Sequence, residues 1–437
     1  MRRITPVILW AAVLTLLLAS VPTLAADKPL QLTLWHMEAR PTRMKAIEDL
    51  VNQFNQENPD LNIKVEVQSW GDVYVKAIAA IQSGKYPDFI FTIPDFGMNL
   101  ALTRTIRPVD DVVKDLQKKY KLYDQALTPY SYDKHYWAVP LYGMSEVLWY
   151  RKDLFEKAGL DPNNPPKTWS QLLAVAKTLV DKGVVKHPIA VPGDWHLATM
   201  QQVYPLMVTA KAEHIFDSKG RVVFDNPKTV EAFTFYKKLF DLSPPGSASW
   251  QWDQPVAAFM NGEVAMVIEK GQYIEQWDLR TKLPPEYLGA APVPVPDKDG
   301  QLGTVYYSNG IHLLKSDPKV KAAFKRFVEF LYKPDNMARL LVGAPGLFLP
   351  VTVEASKSPV LLSHPSIARH KEKFELLIEQ AKYGKLYGFT RQPFHPNIGR
   401  ITAQNLIAWA AQRMIFDGLT PEQAVKLGAD KMREAID

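Results

Sequence analysis

Seven aromatic residues, Trp35, Trp70, Trp195, Trp250, Trp252, Tyr273 and Tyr307, fall at expected loop positions after strands or between helices. Large flat side chains of this kind cover the apolar C–H faces of a sugar ring, while carboxylates, amides and guanidinium groups satisfy its belt of hydroxyls. Polar partners stand close by. In the run Trp35-His36-Met37-Glu38-Ala39-Arg40, Glu38 can accept two hydroxyls and Arg40 can donate to others. Asp95-Phe96 follows a second strand. Each has a plainer reading: a tryptophan pins a loop to the core, Glu38 answers a helix dipole, and Asp95 caps a helix. Seven rings in matching loops favour binding. Trp149, inside a strand, and Trp169, at a helix start, are read as structural.

Aromatic clefts also serve glycoside hydrolases, which need two carboxylates facing one bond with one held protonated. Glu38, Asp95, Glu146, Asp253 and Glu269 are candidates, but no motif fixes the spacing of any pair. The nine histidines are scattered and form no metal-binding set. Gly-x-Ser-x-Gly and phosphate-loop spacings are absent. No catalytic residue, cofactor or metal is expected, and the chemistry read here is non-covalent capture.

The elements that would position these residues alternate. Leu30, Leu32 and Leu34 predict a strand ending at Trp35-His36, and a helix carrying Met44, Ile47, Val51 and Phe54 on one face stops at Asn58-Pro59. Leu61, Ile63, Val65 and Val67 alternate again, a helix with Tyr74, Ile78 and Ile81 runs to Gly84, and Phe89–Ile93 is the next strand. This rhythm predicts an open parallel sheet, with ligands beyond the carboxyl ends of its strands. It restarts after Pro140, so the fold class is α/β with two lobes, each a mainly parallel sheet flanked by helices. The proline-rich run Gly289–Pro296 is read as a second crossing between lobes, and Gly343–Gly346 as a third. The expected division is 26–138 plus 290–342 for the first lobe and 139–289 plus 343–437 for the second. Crossings of this kind make a hinge over a cleft that can close.

The stretch from Trp137 to Lys177 is the most specific. Ala-Val-Pro140 must be extended, Val147–Tyr150 reads as a strand buried on both faces, and Lys152–Ala158 as two helical turns stopped by Gly159. Thr168 and Gln171 stand at capping-box spacing. The order Ala-Val-Pro, Tyr-Arg-Lys-Asp-Leu-Phe-Glu-Lys-Ala-Gly-Leu and Pro-Lys-Thr-Trp-Ser-Gln-Leu resembles the second-lobe entry of the bacterial family 1 extracellular solute-binding proteins, the sugar receptors of ABC importers. The resemblance spans about residues 30 to 355.

That resemblance implies a two-lobed periplasmic binding protein that traps ligand between its lobes. It carries Glu38 and Asp95 over as first-lobe contacts. Gly271-Gln-Tyr273 matches the family's glycine–any–aromatic segment, and Ser308-Asn309-Gly310 stands where paired glycines are usual, with Asn309 offering donors and an acceptor. Gly346-Leu-Phe-Leu-Pro350 resembles the family's Gly-x-x-Pro segment, with Phe348 packing in place of an arginine or Arg391 supplying the charge. The candidate ligand-binding set is therefore Trp35, His36, Glu38, Arg40, Trp70, Asp95, Phe96, Glu146, Trp195, Trp250, Trp252, Tyr273, Tyr307, Asn309 and Phe348. The implied partners are a small-molecule carbohydrate, a mono- or oligosaccharide, and the membrane permease subunits of an importer. An anionic sugar derivative or glycerol phosphate ester is the alternative, drawn by Arg40, Arg43, Lys270 and Arg391.

Bulk properties agree. The 437 residues are too many for one ordinary core and fit two domains. A hydrophobic share of 47% with 22% charged residues describes an ordinary globular chain. Residues 1–25 read as a signal peptide: Arg2-Arg3, an apolar run from Val7 to Ala19, and Thr23-Leu24-Ala25 before the cut. Without Arg2 and Arg3 the net charge of +6 falls to about +4, and no dense basic block invites nucleic acid. The chain has no cysteine, hence no disulfide and no acylated N-terminus. The expectation is an exported, periplasmic monomer without a lipid anchor.

Overall fold

A computed structural model describes residues 28–437. The signal-peptide reading lies outside the described residues. Strand β1 (Leu30–His36) pairs in parallel with β2 (Leu61–Val67), from Leu30 opposite Leu61 to His36 opposite Val67. Helix α1 (Pro41–Glu57) crosses between them. Proline at its first turn forfeits no intrahelical hydrogen bond, and Ile47, Leu50, Val51 and Phe54 form its buried face. Phe54 meets Phe327 and Phe330 edge-on at 5.1 and 5.4 Å, and its burial contributes about 1.5–3 kcal/mol. Helix α2 (Val73–Gln82) leads to β3 (Phe89–Thr92), parallel to β1, and α3 (Pro94–Leu102) follows directly.

One long strand, β4 (Val139–Arg151), then runs from the first lobe into the second. Residues 139–145 lie antiparallel to β7 (Thr304–Leu313), and residues 146–150 antiparallel to β5 (Met266–Lys270). Strand β7 continues to β3, giving the path β2-β1-β3-β7-β4-β5. The alternation along β4 separates two cores on opposite faces of this sheet: Leu148 and Tyr150 join one, Val147 and Trp149 the other.

The two-lobed α/β architecture is as the sequence implies, with two differences. The second lobe is not mainly parallel: β4 pairs antiparallel with β5, with β7 and with β6 (Leu288–Ala291). The run Gly289–Pro296 is not a crossing either. Its first residues are in β6, and Val295 hydrogen-bonds Trp169 and Lys167, so its prolines sit beside the capping loop of α4 (Trp169–Asp181). The chain returns along β7 instead. Near the middle of the molecule Gly143 opposes Ser308 of β7 and exchanges two 2.8 Å backbone bonds with Leu349. A Cβ on Gly143 would stand 2.1 Å from the Tyr306 hydroxyl, so only glycine fits where these segments meet. The capping box at Thr168/Gln171 forms, a second one stands at Thr420/Gln423, and Gly159 takes φ +73° after its helix.

Candidate functional site

A cavity of about 300 Å³ lies between the lobes, at the carboxyl ends of β1, β2 and β3. From the first lobe come Glu38, Arg40 and Arg43 around the start of α1, Trp70 after β2, and Ile93 after β3. The second lobe offers Gln201 from α5 (Leu197–Thr209), Trp252 and Asp253 at the start of α6 (Asp253–Asn261), and Lys270 at the end of β5. Tyr307 of β7 and Met144 of β4 form the wall where the two lobes join.

The polar groups are tightly paired. Glu38 accepts from Arg43 Nη1 at 3.0 Å through Oε2 and from the Tyr142 hydroxyl at 3.0 Å through Oε1. Tyr142 is stacked on Phe348 at 3.7 Å, which fixes its hydroxyl. Arg40 bonds Asp253 across the gap, tying a first-lobe loop to a second-lobe helix. Gln201 Oε1 accepts both Trp252 Nε1 at 3.0 Å and Lys270 Nζ at 2.7 Å, so one amide orients an aromatic wall and a cation. His196 packs edge-on against Trp252, with ring centroids 4.5 Å apart. Lys270 donates to Glu269 at 2.9 Å and lies 3.3 Å from Glu146. Burial lowers the Lys270 pKa, but Glu269 and Glu146 outweigh it and the net shift is upward. Glu146 is fully buried, and burial raises its pKa well above the usual carboxylate range despite Lys270.

Of the fifteen candidates from the sequence, Glu38, Arg40, Trp70, Trp252 and Tyr307 line this cavity. Glu146 lies behind Lys270, not on the surface. Trp35 is buried, its indole donating to Glu66 at 2.9 Å. His36 is wholly buried on the core side; its Nδ1 accepts from the Glu38 amide, and burial pushes its pKa down to about 4. Asp95 and Phe96 are fully covered, with the Tyr74 hydroxyl donating to Asp95 at 3.1 Å. Tyr273 turns into the core and stacks on Trp149 at 5.6 Å, because only two residues separate the end of β5 from the start of α7 (Tyr273–Arg280). Asn309 is buried within β7, and Phe348 acts on the cavity indirectly, by stacking on Tyr142 and by underlying the Arg43 guanidinium, 5.7 Å from its ring centroid. Trp195 is about half exposed and donates to the Gln404 carbonyl at 2.8 Å; Trp250 packs against the second core. Neither lines the cavity.

The reading of the sequence missed Gln201. Helix α5 has every residue from Ala198 to Thr209 buried and Pro205 inside it, so no polar stripe announces it. The adjacent polar pair Gln201-Gln202 in an apolar run was the available signal. Among the described residues no group of three or more potential ligands could hold a metal ion, and no helix is long and apolar enough to cross a membrane.

Similarity to known proteins agrees with this architecture. The YcjN protein of Escherichia coli (strain K12), assigned as an ABC transporter periplasmic-binding protein, is 26% identical over 407 residues, covering 92% of each chain. The maltose-bound MalE3 of T. maritima superposes with a TM-score of 0.78 at 18% identity, over 93% of this chain and 99% of that one. A solute-binding protein from Agrobacterium radiobacter K84 in complex with ribitol gives 0.76 at 22% identity, over 93% and 100%. At these identities the two structures speak for the fold alone. The family model of the bacterial extracellular solute-binding proteins matches residues 38–338, more than half of the sequence, and the chain belongs to that family.

Proposed function

We propose that this solute-binding protein captures a neutral carbohydrate or polyol between its lobes and delivers it, chemically unchanged, to the membrane permease subunits of an ABC importer. The observation that carries the reading is the pairing of charge around aromatic walls. Arg40 holds Asp253, Arg43 holds Glu38, and Lys270 holds Glu269 and Glu146, while Trp70, Trp252 and Tyr307 supply flat apolar surface. No cation is left over for an anion. The donors and acceptors that remain suit hydroxyls, which do both. The T. maritima and Agrobacterium proteins hold maltose and ribitol, which lends support.

Hydrolysis is disfavoured by the same pairing. The cavity carboxylates Glu38 and Asp253 are each bonded to an arginine, and the acid with the raised pKa, Glu146, sits behind Lys270. Export into the periplasm through the N-terminal leader and function as a monomer complete the proposal. The lobes are proposed to swing about the middle of β4 and β7, with the first ending near Gly143 and resuming near Ser308.

A thermal-shift panel of neutral sugars, polyols, uronates and glycerol phosphate tests this. Ligand at a hundred times its Kd adds about 2.7 kcal/mol of stability. A shift with neutral members is expected, and a shift confined to the anions would overturn the reading. New reducing ends from an incubated oligosaccharide would show catalysis instead.

A further inference from the structure

One end of the inter-lobe cleft is occupied by the chain itself. Gly384-Lys385 pairs with Thr304-Val305 at the second-lobe end of β7. The chain then turns back at Gly388 (φ +78°) and reaches the first lobe, where helix α8 (Ile398–Ala403) lies along α3. This contact leaves no gap. A Cβ on Gly399 would stand 2.8 Å from the Asp95 carbonyl oxygen and 2.7 Å from the Asn99 Cβ. Between the two anchor points Tyr387 is fully buried, its hydroxyl 2.5 Å from that of Tyr307 and its ring edge-on to Tyr204. Phe389, Phe394, Ile398 and Ile401 back it as buried side chains.

Tyr307 is therefore a shared wall, with the cavity on one side and Tyr387 on the other. Asp95 and Phe96 stand at the carboxyl end of β3, where an open sheet presents its ligand, yet both are sealed beneath this segment. The opposite rim is bridged by Arg40 and Asp253. What is left, about 300 Å³, is at the bottom of the roughly 300–1,000 Å³ range of small-molecule pockets.

We propose that residues 384–403 are the length gauge of the binding site: they fill the Asp95 end of the cleft and restrict the ligand to one or two sugar rings, or a polyol of that size. The inference rests on the proposed function. To extend on this side a longer glycan would have to displace Tyr307 together with Tyr387 and α8 behind it.

Calorimetry on the full-length mature protein tests the gauge with two neutral series, glucose to maltotetraose and mannose to mannotetraose, beside ribitol. In the series that binds, affinity is expected to peak at one or two rings and to fall at least tenfold at three. The Tyr387→Ala variant removes the support behind Tyr307 and lets that wall give way, so it should narrow the gap between two and three rings at least threefold. Three- and four-ring members binding as tightly as two-ring ones in the unaltered protein would overturn the gauge and leave carbohydrate capture standing. Silence from ribitol and both series, with a shift only from anionic solutes in the panel above, would overturn both. The wild-type series is decisive even if Tyr387→Ala fails to fold.

Discussion

Two neighbouring strands of the first lobe end side by side and meet opposite surroundings. Beyond β1, Glu38 and Arg40 face the cavity, and the carboxylate of Glu38 is held by Arg43. Beyond β3, Asp95 and Phe96 lie at the equivalent position and are fully covered by Tyr74 and the segment around Gly399. The sheet decides where a mouth lies, because carboxyl ends of parallel strands point the same way. What occupies that mouth is decided by chain some 300 residues later. The electrostatic cost differs too. Glu38 is buried beside a guanidinium, whereas burial pushes the Asp95 pKa up to about 6 with no cation to oppose it.

The largest expected effect comes from the covered carboxylate. Between about pH 3.8 and 6 the folded state keeps the Asp95 proton and the unfolded state has lost it. Wild-type stability therefore falls as pH rises through that window and stays lowered above it. Asp95→Asn removes the penalty, so the variant should be more stable by about 3 kcal/mol at pH 7 and no more stable at pH 3.5. Denaturant midpoints at the two pH values check this. A variant weaker than wild type at pH 7 would break the contrast between the two mouths.

Next in size is the cavity-facing partner. Glu38→Gln takes the charge from a carboxylate bonded by Arg43 and Tyr142 and leaves ligand hydroxyls a weaker acceptor. Affinity for the best sugar of the panel should fall by about 2 kcal/mol, near 30-fold. Asp95→Asn should leave that affinity within about twofold, since the wall of Tyr74 and α8 intervenes. Equal losses from both, by calorimetry, would mean that the two mouths serve the ligand alike.

How far the sequence could be read follows the same divide between local and distant causes. The strands β1, β2 and β3, the capping box of α4 and the left-handed Gly159 all depend on residues within a few positions, and all are recognisable in the sequence. Glu38, Arg40 and Trp70 reach the cavity for that reason: each stands two to four residues past a strand end. Trp35 carries the same label but is still inside β1, in register opposite Glu66. Tyr273 follows a strand as well, but an immediate helix start rotates it onto Trp149. Prolines misled in two ways, suggesting a crossing at Gly289–Pro296 and hiding the buried helix that carries Gln201. Nothing near Asp95 announces that α8 will cover it.

A smaller effect separates two tryptophans only two positions apart. Trp252 lines the cavity with its indole fixed by Gln201, while Trp250 lies against the second core, beside Gly246. Trp252→Ala should cost about 1.5 kcal/mol of binding, roughly tenfold, through lost aromatic contact. Trp250→Ala should change affinity by less than about 0.5 kcal/mol and register instead in thermal stability. The reverse ranking by calorimetry would place the ligand beyond the cavity described.

The smallest expected effect is the salt dependence of binding, and it bears on the electrostatic half of the comparison. At the mouth beyond β1 every cation has a carboxylate partner: Arg43 with Glu38 at 3.0 Å, Arg40 with Asp253, and Lys270 with Glu269 at 2.9 Å. A neutral ligand entering this arrangement changes no net charge, so Kd should move less than about twofold between 0.01 and 1 M salt, although the Debye length shrinks from about 30 to 3 Å. An anionic ligand would draw Arg40 or Arg43 away from its carboxylate. Part of its attraction would be screened before closure, so affinity would fall steadily as salt rises. Marked weakening with the best-binding solute would mean that these pairs open on binding, and that the cavity is preorganised for charge instead of for hydroxyls.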